Sequence, residues 1–289
     1  MTSGQRYRFR MRMNARWPLF AAMGCALAFA AVLESAYWIA PAARFDVIAL
    51  KGFVTLDGTL SDPVAQVAAH SADLIPLAVM LAVVFAWGWS MGRRWEAFAA
   101  LALVAGANVA TQMLKILLAH PRVQASLGPN QPGAEALPSG HATAAMSLAL
   151  AAVVVAPARV RASVALVGAT YVIAVSISIL VLGWHFPSDV LGGLLVASGS
   201  FFCIVAAIRT APSRRAWVAA QRGAGIAISR RVGELSIVAL AGIAGVAVLL
   251  RADDLLDFAR VHTVATATAL AIVATSAALL ATAALLADD

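Results

Sequence analysis

His185 and Asp189 stand four residues apart, and two other polar groups precede them in the chain: Pro138-Ser139-Gly140-His141, and the stretch from Lys115 to Arg122. Each sits at the edge of a long apolar run, where an ionisable side chain is costly and marks a site by default. A carboxylate one helical turn from an imidazole can hold one ring nitrogen and leave the other free to attack. A helix opening at Ser139 offers unpaired backbone N–H groups and a positive dipole end, which together receive an anion. Gly140 lets the backbone approach that anion closely, and His141 can deliver a proton. Lys115 supplies a point charge and Arg122 a two-pronged donor, both suited to phosphate. Two histidines, one carboxylate and two cations in this order suggest phosphoryl chemistry.

Each group also has a plainer reading. Asp189 can cap a helix beside an interfacial histidine, Ser139 can cap a helix start beside a solvated one, and the two cations can snorkel toward headgroups. A His-x-x-x-Asp pair with His141 as third ligand would suit zinc. The chain has no His-Glu-x-x-His element, no cysteine ligand near the site and no carboxylate cluster, and the nearby cations would repel a metal. No metal is expected.

The elements that must position these residues are membrane spans. Of 289 residues, 62% are hydrophobic and 12% charged, with mean hydropathy +0.87, whereas a soluble domain carries roughly 25% charged residues. Several uninterrupted apolar runs reach the length of about 20 residues that crosses a bilayer core as a helix. They are continuous and rich in Ala, Leu and Val rather than alternating, which argues against a barrel. The fold class is therefore all-α, a polytopic membrane helical bundle. Spans are expected near 17–40, 73–91, 96–118, 139–156, 163–183, 188–208, 234–250 and 263–285. The first is longer than a signal-peptide core and reads as an uncleaved anchor. Ser61-Asp62-Pro63 reads as a helix start inside the segment 41–72. The organisation is a basic N-terminus (1–16), a six-span core (17–208), a basic linker (209–233) and two additional spans (234–289), which look like an appendage to the core.

Net charge is +7 and the pI near 10.4, yet the distribution points away from nucleic acid. Arg6, Arg8, Arg10, Arg12 and Arg16 crowd the N-terminus, and Arg209, Arg214, Arg215, Arg222, Arg230 and Arg231 crowd the linker. Clusters flanking apolar spans keep loops in the cytoplasm and touch anionic membrane lipids. With the N-terminus inside, Arg93, Arg94, Arg159 and Arg161 join them, leaving only Arg44, Lys51, Lys115, Arg122, Arg251 and Arg260 outside. Both termini are thus expected in the cytoplasm, and all three polar groups on the outer, periplasmic or extracellular, face of the inner (cell) membrane. Cys25 and Cys203 fall inside apolar runs and read as small buried hydrophobes, with no disulfide.

These residues resemble the type 2 phosphatidic acid phosphatase superfamily, whose active site is shared with vanadium haloperoxidases. That family has three motifs: Lys, six residues, Arg-Pro; then Pro-Ser-Gly-His; then Ser-Arg, five residues, His, three residues, Asp. Lys115 and Arg122 have the first spacing, Pro138 to His141 match the second completely, and His185 and Asp189 match the end of the third. The surrounding Gly183-Trp184-His185-Phe186-Pro187-Ser188-Asp189 is also family-like. Two positions depart: Val123 replaces the first-motif proline, and Ile179, after Ser178, replaces the third-motif arginine that helps hold phosphate. The resemblance implies a lipid phosphatase that needs no metal or organic cofactor. Lys115, Arg122, Ser139 and the Gly140 amide would hold the phosphoryl oxygens. His185, oriented by Asp189, would attack phosphorus, His141 would protonate the leaving oxygen, and water would cleave the phosphohistidine. A lipid phosphotransferase is the alternative within enzymes. A non-catalytic lipid-phosphate binder or transporter is the alternative outside them, motivated by Ile179 and the two additional spans.

Overall fold

The computed structural model describes residues 3–56, 62–122, 127, 131–210 and 252–286; the expected span at 234–250 and nearly all of the linker 209–233 lie outside them. Every regular element among these residues is a helix: α1 (Ser3–Trp38), α2 (Ala40–Val54), α3 (Asp62–His70), α4 (Leu74–Ser90), α5 (Arg94–Leu117), α6 (Gly140–Val155), α7 (Ala158–Val181), α8 (Pro187–Thr210), α9 (Ala252–Val261) and α10 (Thr263–Leu286). The all-α membrane bundle expected from composition is the fold observed. Helix α1 runs unbroken from Ser3 in the basic stretch into the first span.

Among the described residues five helices are long and apolar enough to cross a membrane: Arg16–Trp38 of α1, α5, α7, Pro187–Arg209 of α8, and α10. A sixth forms if α3 and α4 count as one span bent by 62° between His70 and Leu74. The stretch 139–156 departs from its expected role. Helix α6 has 16 residues and is about 24 Å long at 1.5 Å per residue, short of a bilayer core of roughly 30 Å. It is the axis of the bundle. Its residues are apolar or small on every side, so no face is left for solvent, and all but Gly140, His141 and Ala152 are buried.

Helices α5, α7, α8 and α4 surround α6, and they approach it closely because small residues stand at the crossings. A Cβ on Gly168 of α7 would lie 2.9 Å from the Ala149 Cβ, and one on Gly88 of α4 would lie 2.9 Å from Val155. Helix α1 packs along α8. The outer faces of α1, α4 and α5 carry bare apolar side chains such as Phe20, Leu27, Val79, Val83, Val109 and Ile116, the surface that acyl chains cover. Helix α10 lies against the core. It packs on α7, α2 and α6, with Ala265 in the notch left by Gly52, and Thr55 within 3.5 Å of His262.

Candidate active site

The three polar groups converge on one end of the bundle, where α5 ends, α6 begins, and α7 turns into α8. Local chemistry fixes that turn. Gly183 adopts φ +70°, its N–H bonds the Leu180 carbonyl at 3.1 Å, and the Trp184 N–H bonds the Ile179 carbonyl at 3.0 Å. This pair of bonds closes a helix C-terminus through a left-handed residue that glycine adopts without strain. Pro187 then opens α8, and the Phe186 N–H donates to Asp189 Oδ2 at 2.8 Å, a carboxylate at the third helical position capping its own helix. The turn therefore presents His185 while Asp189 is fully buried beneath it.

The start of α6 is tied to this turn. The Ser139 N–H donates to the Asp189 carbonyl at 2.8 Å, and Thr143 Oγ1 donates to the Ser139 carbonyl at 2.9 Å. Thr143 also meets Thr111 of α5 at 2.9 Å. Gly193 lies so close that a Cβ there would be 2.6 Å from the Ser139 carbonyl oxygen. Ser139 Oγ accepts the Ala142 N–H at 3.3 Å and is buried, so here it is the helix cap. His141 and His185 face one another with ring centroids 6.3 Å apart. Above Gly140 the space is open to cations: the Lys115 ammonium and the Gln112 amide nitrogen lie 3.9 Å from where a Cβ would stand. All seven residues singled out in the sequence are thus at one end of the molecule.

Two of their contacts differ from expectation. His185 Nδ1 lies 3.5 Å from Asp189 Oδ2 and has no hydrogen-bond partner, because that oxygen faces the Phe186 N–H. Arg122 does not stand open to a ligand. Its Nη2 donates to Asp189 Oδ1, its Nη1 donates to Ser188 Oγ at 2.9 Å and to Asp46 Oδ2 at 3.3 Å, and its guanidinium lies 4.2 Å over the Phe186 ring. Ile179, where the third-motif arginine would stand, is fully buried in the apolar core.

The structure also adds residues that the motifs do not contain. Asp46 of α2 accepts the Ser188 N–H at 3.1 Å and the Ser188 hydroxyl. Burial pushes its carboxyl up to about 6, reinforced by the charge of Asp189 and opposed by Ser188 and Arg122. A cavity of about 170 Å³ beside it is lined by Tyr37, Asp46, His120, Arg122 and Phe186. On the other side of the site, Asp73 Oδ1 meets His141 Nε2 at 3.0 Å and Asp73 Oδ2 meets His70 Nδ1 at 2.9 Å. One signal would have found this second carboxylate: His70 and Asp73 are ionisable residues at the border of an apolar run, like the other three groups. Among the described residues no three His, Cys, Asp or Glu side chains converge as a metal site requires.

Residues 95–214 match the family model of the PAP2 superfamily, a stretch that runs from α5 through α8 and carries all three motifs. The resemblance drawn from those motifs is borne out. A crystal structure titled as the first transmembrane PAP2 type phosphatidylglycerolphosphate phosphatase, from Bacillus subtilis, aligns with TM-score 0.53 and 19% sequence identity, covering 64% of this chain and 94% of that one. At that identity the likeness is one of fold. None of the curated proteins matches the chain.

Proposed function

We propose that the protein is an integral-membrane lipid phosphatase that hydrolyses a phosphate monoester or diphosphate through a phosphohistidine. The observation that carries this reading is the placement of His141 and His185, 6.3 Å apart, at a helix N-terminus with Lys115 above it. His185 Nδ1 faces Asp189, which leaves Nε2 as the nucleophile. In the first step Nε2 bonds phosphorus, the bond to the leaving oxygen breaks, and His141 protonates that oxygen. In the second, water gives a proton to His141 and its oxygen displaces His185 from phosphorus. Positioning and charge stabilisation supply most of the rate in phosphoryl transfer, and no metal or organic cofactor enters these steps.

The surroundings support the substrate class. The site opens at the end of a bundle whose flanks are apolar, so a phosphate carried on a lipid reaches it from the bilayer. Phosphatidic acid, phosphatidylglycerol phosphate, undecaprenyl diphosphate and phosphorylated lipid A all fit that description, and the Bacillus neighbour is named for the second. The opposite end of the bundle carries Arg93, Arg94, Arg159 and Arg161, which supports an inner N-terminus and an outer site in the cell membrane.

The test is phosphate release from a panel of these lipids by purified protein, with and without chelator. Release that survives chelation and is abolished by His185→Ala supports the reading; no release from any lipid phosphate sinks it. The competing reading, a lipid-phosphate binder without turnover, draws on Ile179 and on the engagement of Arg122 by Asp46 and Asp189. Retained lipid-phosphate affinity without release would favour it. A labelled phosphate appearing on an acceptor other than water would instead mark a phosphotransferase.

A further inference from the structure

Asp73 is the residue before the first turn of α4, where an aspartate ordinarily caps its own helix by accepting a backbone N–H. It makes no such bond. Its side chain turns away from α4 and spans two histidines, Oδ1 to His141 Nε2 at 3.0 Å and Oδ2 to His70 Nδ1 at 2.9 Å. Trp184 stands against both rings, 5.4 Å from His141 and 5.3 Å from His70. The sharp bend between α3 and α4 brings His70 and Asp73 to this position. A carboxylate that gives up its cap to sit on a reacting imidazole is placed to act on that imidazole.

We propose that Asp73 is the positioning residue for His141, holding the Nε2 proton so that the ring stays oriented and its imidazolium form is favoured, with Nδ1 as the donor to the leaving oxygen. This rests on the hydrolase reading above and deepens it. Each nitrogen then has one task. When the bond between phosphorus and the leaving oxygen breaks, the Nδ1 proton moves to that oxygen, and His141 remains neutral with its Nε2–H on Asp73. In the second step Nδ1 takes a proton from the attacking water, which restores the imidazolium. His70 keeps the carboxylate from rotating back to the α4 amides. The other charged or titratable groups facing His141 are His185 from the α7–α8 turn and Lys115 from α5. Burial disfavours the charged imidazole most, His185 and Lys115 add to it, and Asp73 is the group that opposes them.

The experiment compares wild type, Asp73→Asn, His141→Ala and the double variant on two substrates, a lipid alkyl phosphate and p-nitrophenyl phosphate. Asparagine is as good a residue before a helix as aspartate, so the fold is retained. General acid catalysis contributes about 10²–10⁴-fold, and it matters most for a poor leaving group. Asp73→Asn is expected to lower kcat/KM for the alkyl phosphate about tenfold or more while leaving the aryl phosphate nearly unchanged. The alkaline limb of the alkyl profile should move to lower pH, and Asp73→Asn should add nothing on top of His141→Ala. Equal losses on both substrates, or additive effects in the double variant, would overturn the proposal. A second readout needs no turnover: the His141 imidazole, identified in the spectrum of the labelled protein by its loss in His141→Ala, should titrate at lower pH in Asp73→Asn. If wild type releases no phosphate, the hydrolase reading falls, and this titration still decides the role of Asp73. An unmoved His141 titration ends it.

Discussion

Asp46→Asn removes a charge that the protein holds at a cost. The Asp46 side chain is 13% exposed, and its partners are two donors on Ser188 and the Nη1 of Arg122 at 3.3 Å. Asp189, also anionic, shares the same guanidinium. Burial and Asp189 together outweigh these donors and raise the carboxyl from its ordinary value near 3.8 to about 6. At 1.36 kcal/mol per pH unit this corresponds to ~3 kcal/mol. A raised carboxyl binds its proton more tightly in the folded state, so its contribution is present below about pH 4 and is lost as the pH rises through about 6. Asparagine imitates the neutral form at every pH. The variant and wild type should therefore denature at similar temperatures at the acid end, and the variant should pull ahead by several degrees at pH 7.5. The assay is thermal denaturation in detergent from pH 4 to 8. A difference between the two proteins that does not change with pH would refute the desolvation of Asp46.

The structure makes two other expectations specific. Gly193→Ala places a Cβ 2.6 Å from the Ser139 carbonyl and 3.1 Å from the Thr143 N, backbone atoms that cannot step aside. It should destabilise by about 1–3 kcal/mol and lower phosphate release at least tenfold, since the same contact sets the distance between His141 and His185; unchanged turnover would show that the contact does not. Ile179→Arg puts an uncompensated charge at a fully buried position, at about 3–5 kcal/mol. Inorganic phosphate should then raise its denaturation temperature more than it raises that of wild type, and an equal response would place residue 179 out of reach of the ligand.

The parts of the site that could be read in the sequence are those whose chemistry coincides with short spacing. Pro138 to His141 and His185 to Asp189 are each contained in one helix start, so the residues that cooperate are neighbours in the chain. Lys115 could be read because it ends an apolar helix. Asp46 and Asp73 reach the site from α2 and from the bend between α3 and α4, more than 60 residues from Ser188 and His141; Asp46 is a lone aspartate with no spacing to recognise, and Asp73 has only its pairing with His70 three residues away to mark it. The same reason explains α6. Its apolar run looks like any span, and only packing shows that its neighbours bury it on all sides. The plain capping readings of Ser139 and Asp189 describe bonds that both side chains make. Ser139 accepts the Ala142 N–H and Asp189 the Phe186 N–H, and these caps bring the two helix starts together.

Replacing the third-motif arginine by Ile179 changes the charge that the site presents, and the two additional carboxylates change it further. With both imidazoles neutral, the ionised groups among the site residues and their bonded partners are Lys115 and Arg122 against Asp46, Asp73 and Asp189. A phosphate ester approaching this set meets a net anion. One unit charge at 4 Å is worth about 4 kcal/mol near a protein surface, so the imbalance weighs on binding. Protons are the remaining source of positive charge. One on His141 serves the leaving oxygen directly, and one on Asp46, taken up as the pH falls through about 6, removes a carboxylate and frees Arg122 Nη1 from it. Phosphate affinity is therefore expected to rise as the pH falls through about 6, and Asp46→Asn to remove one of the titrations responsible.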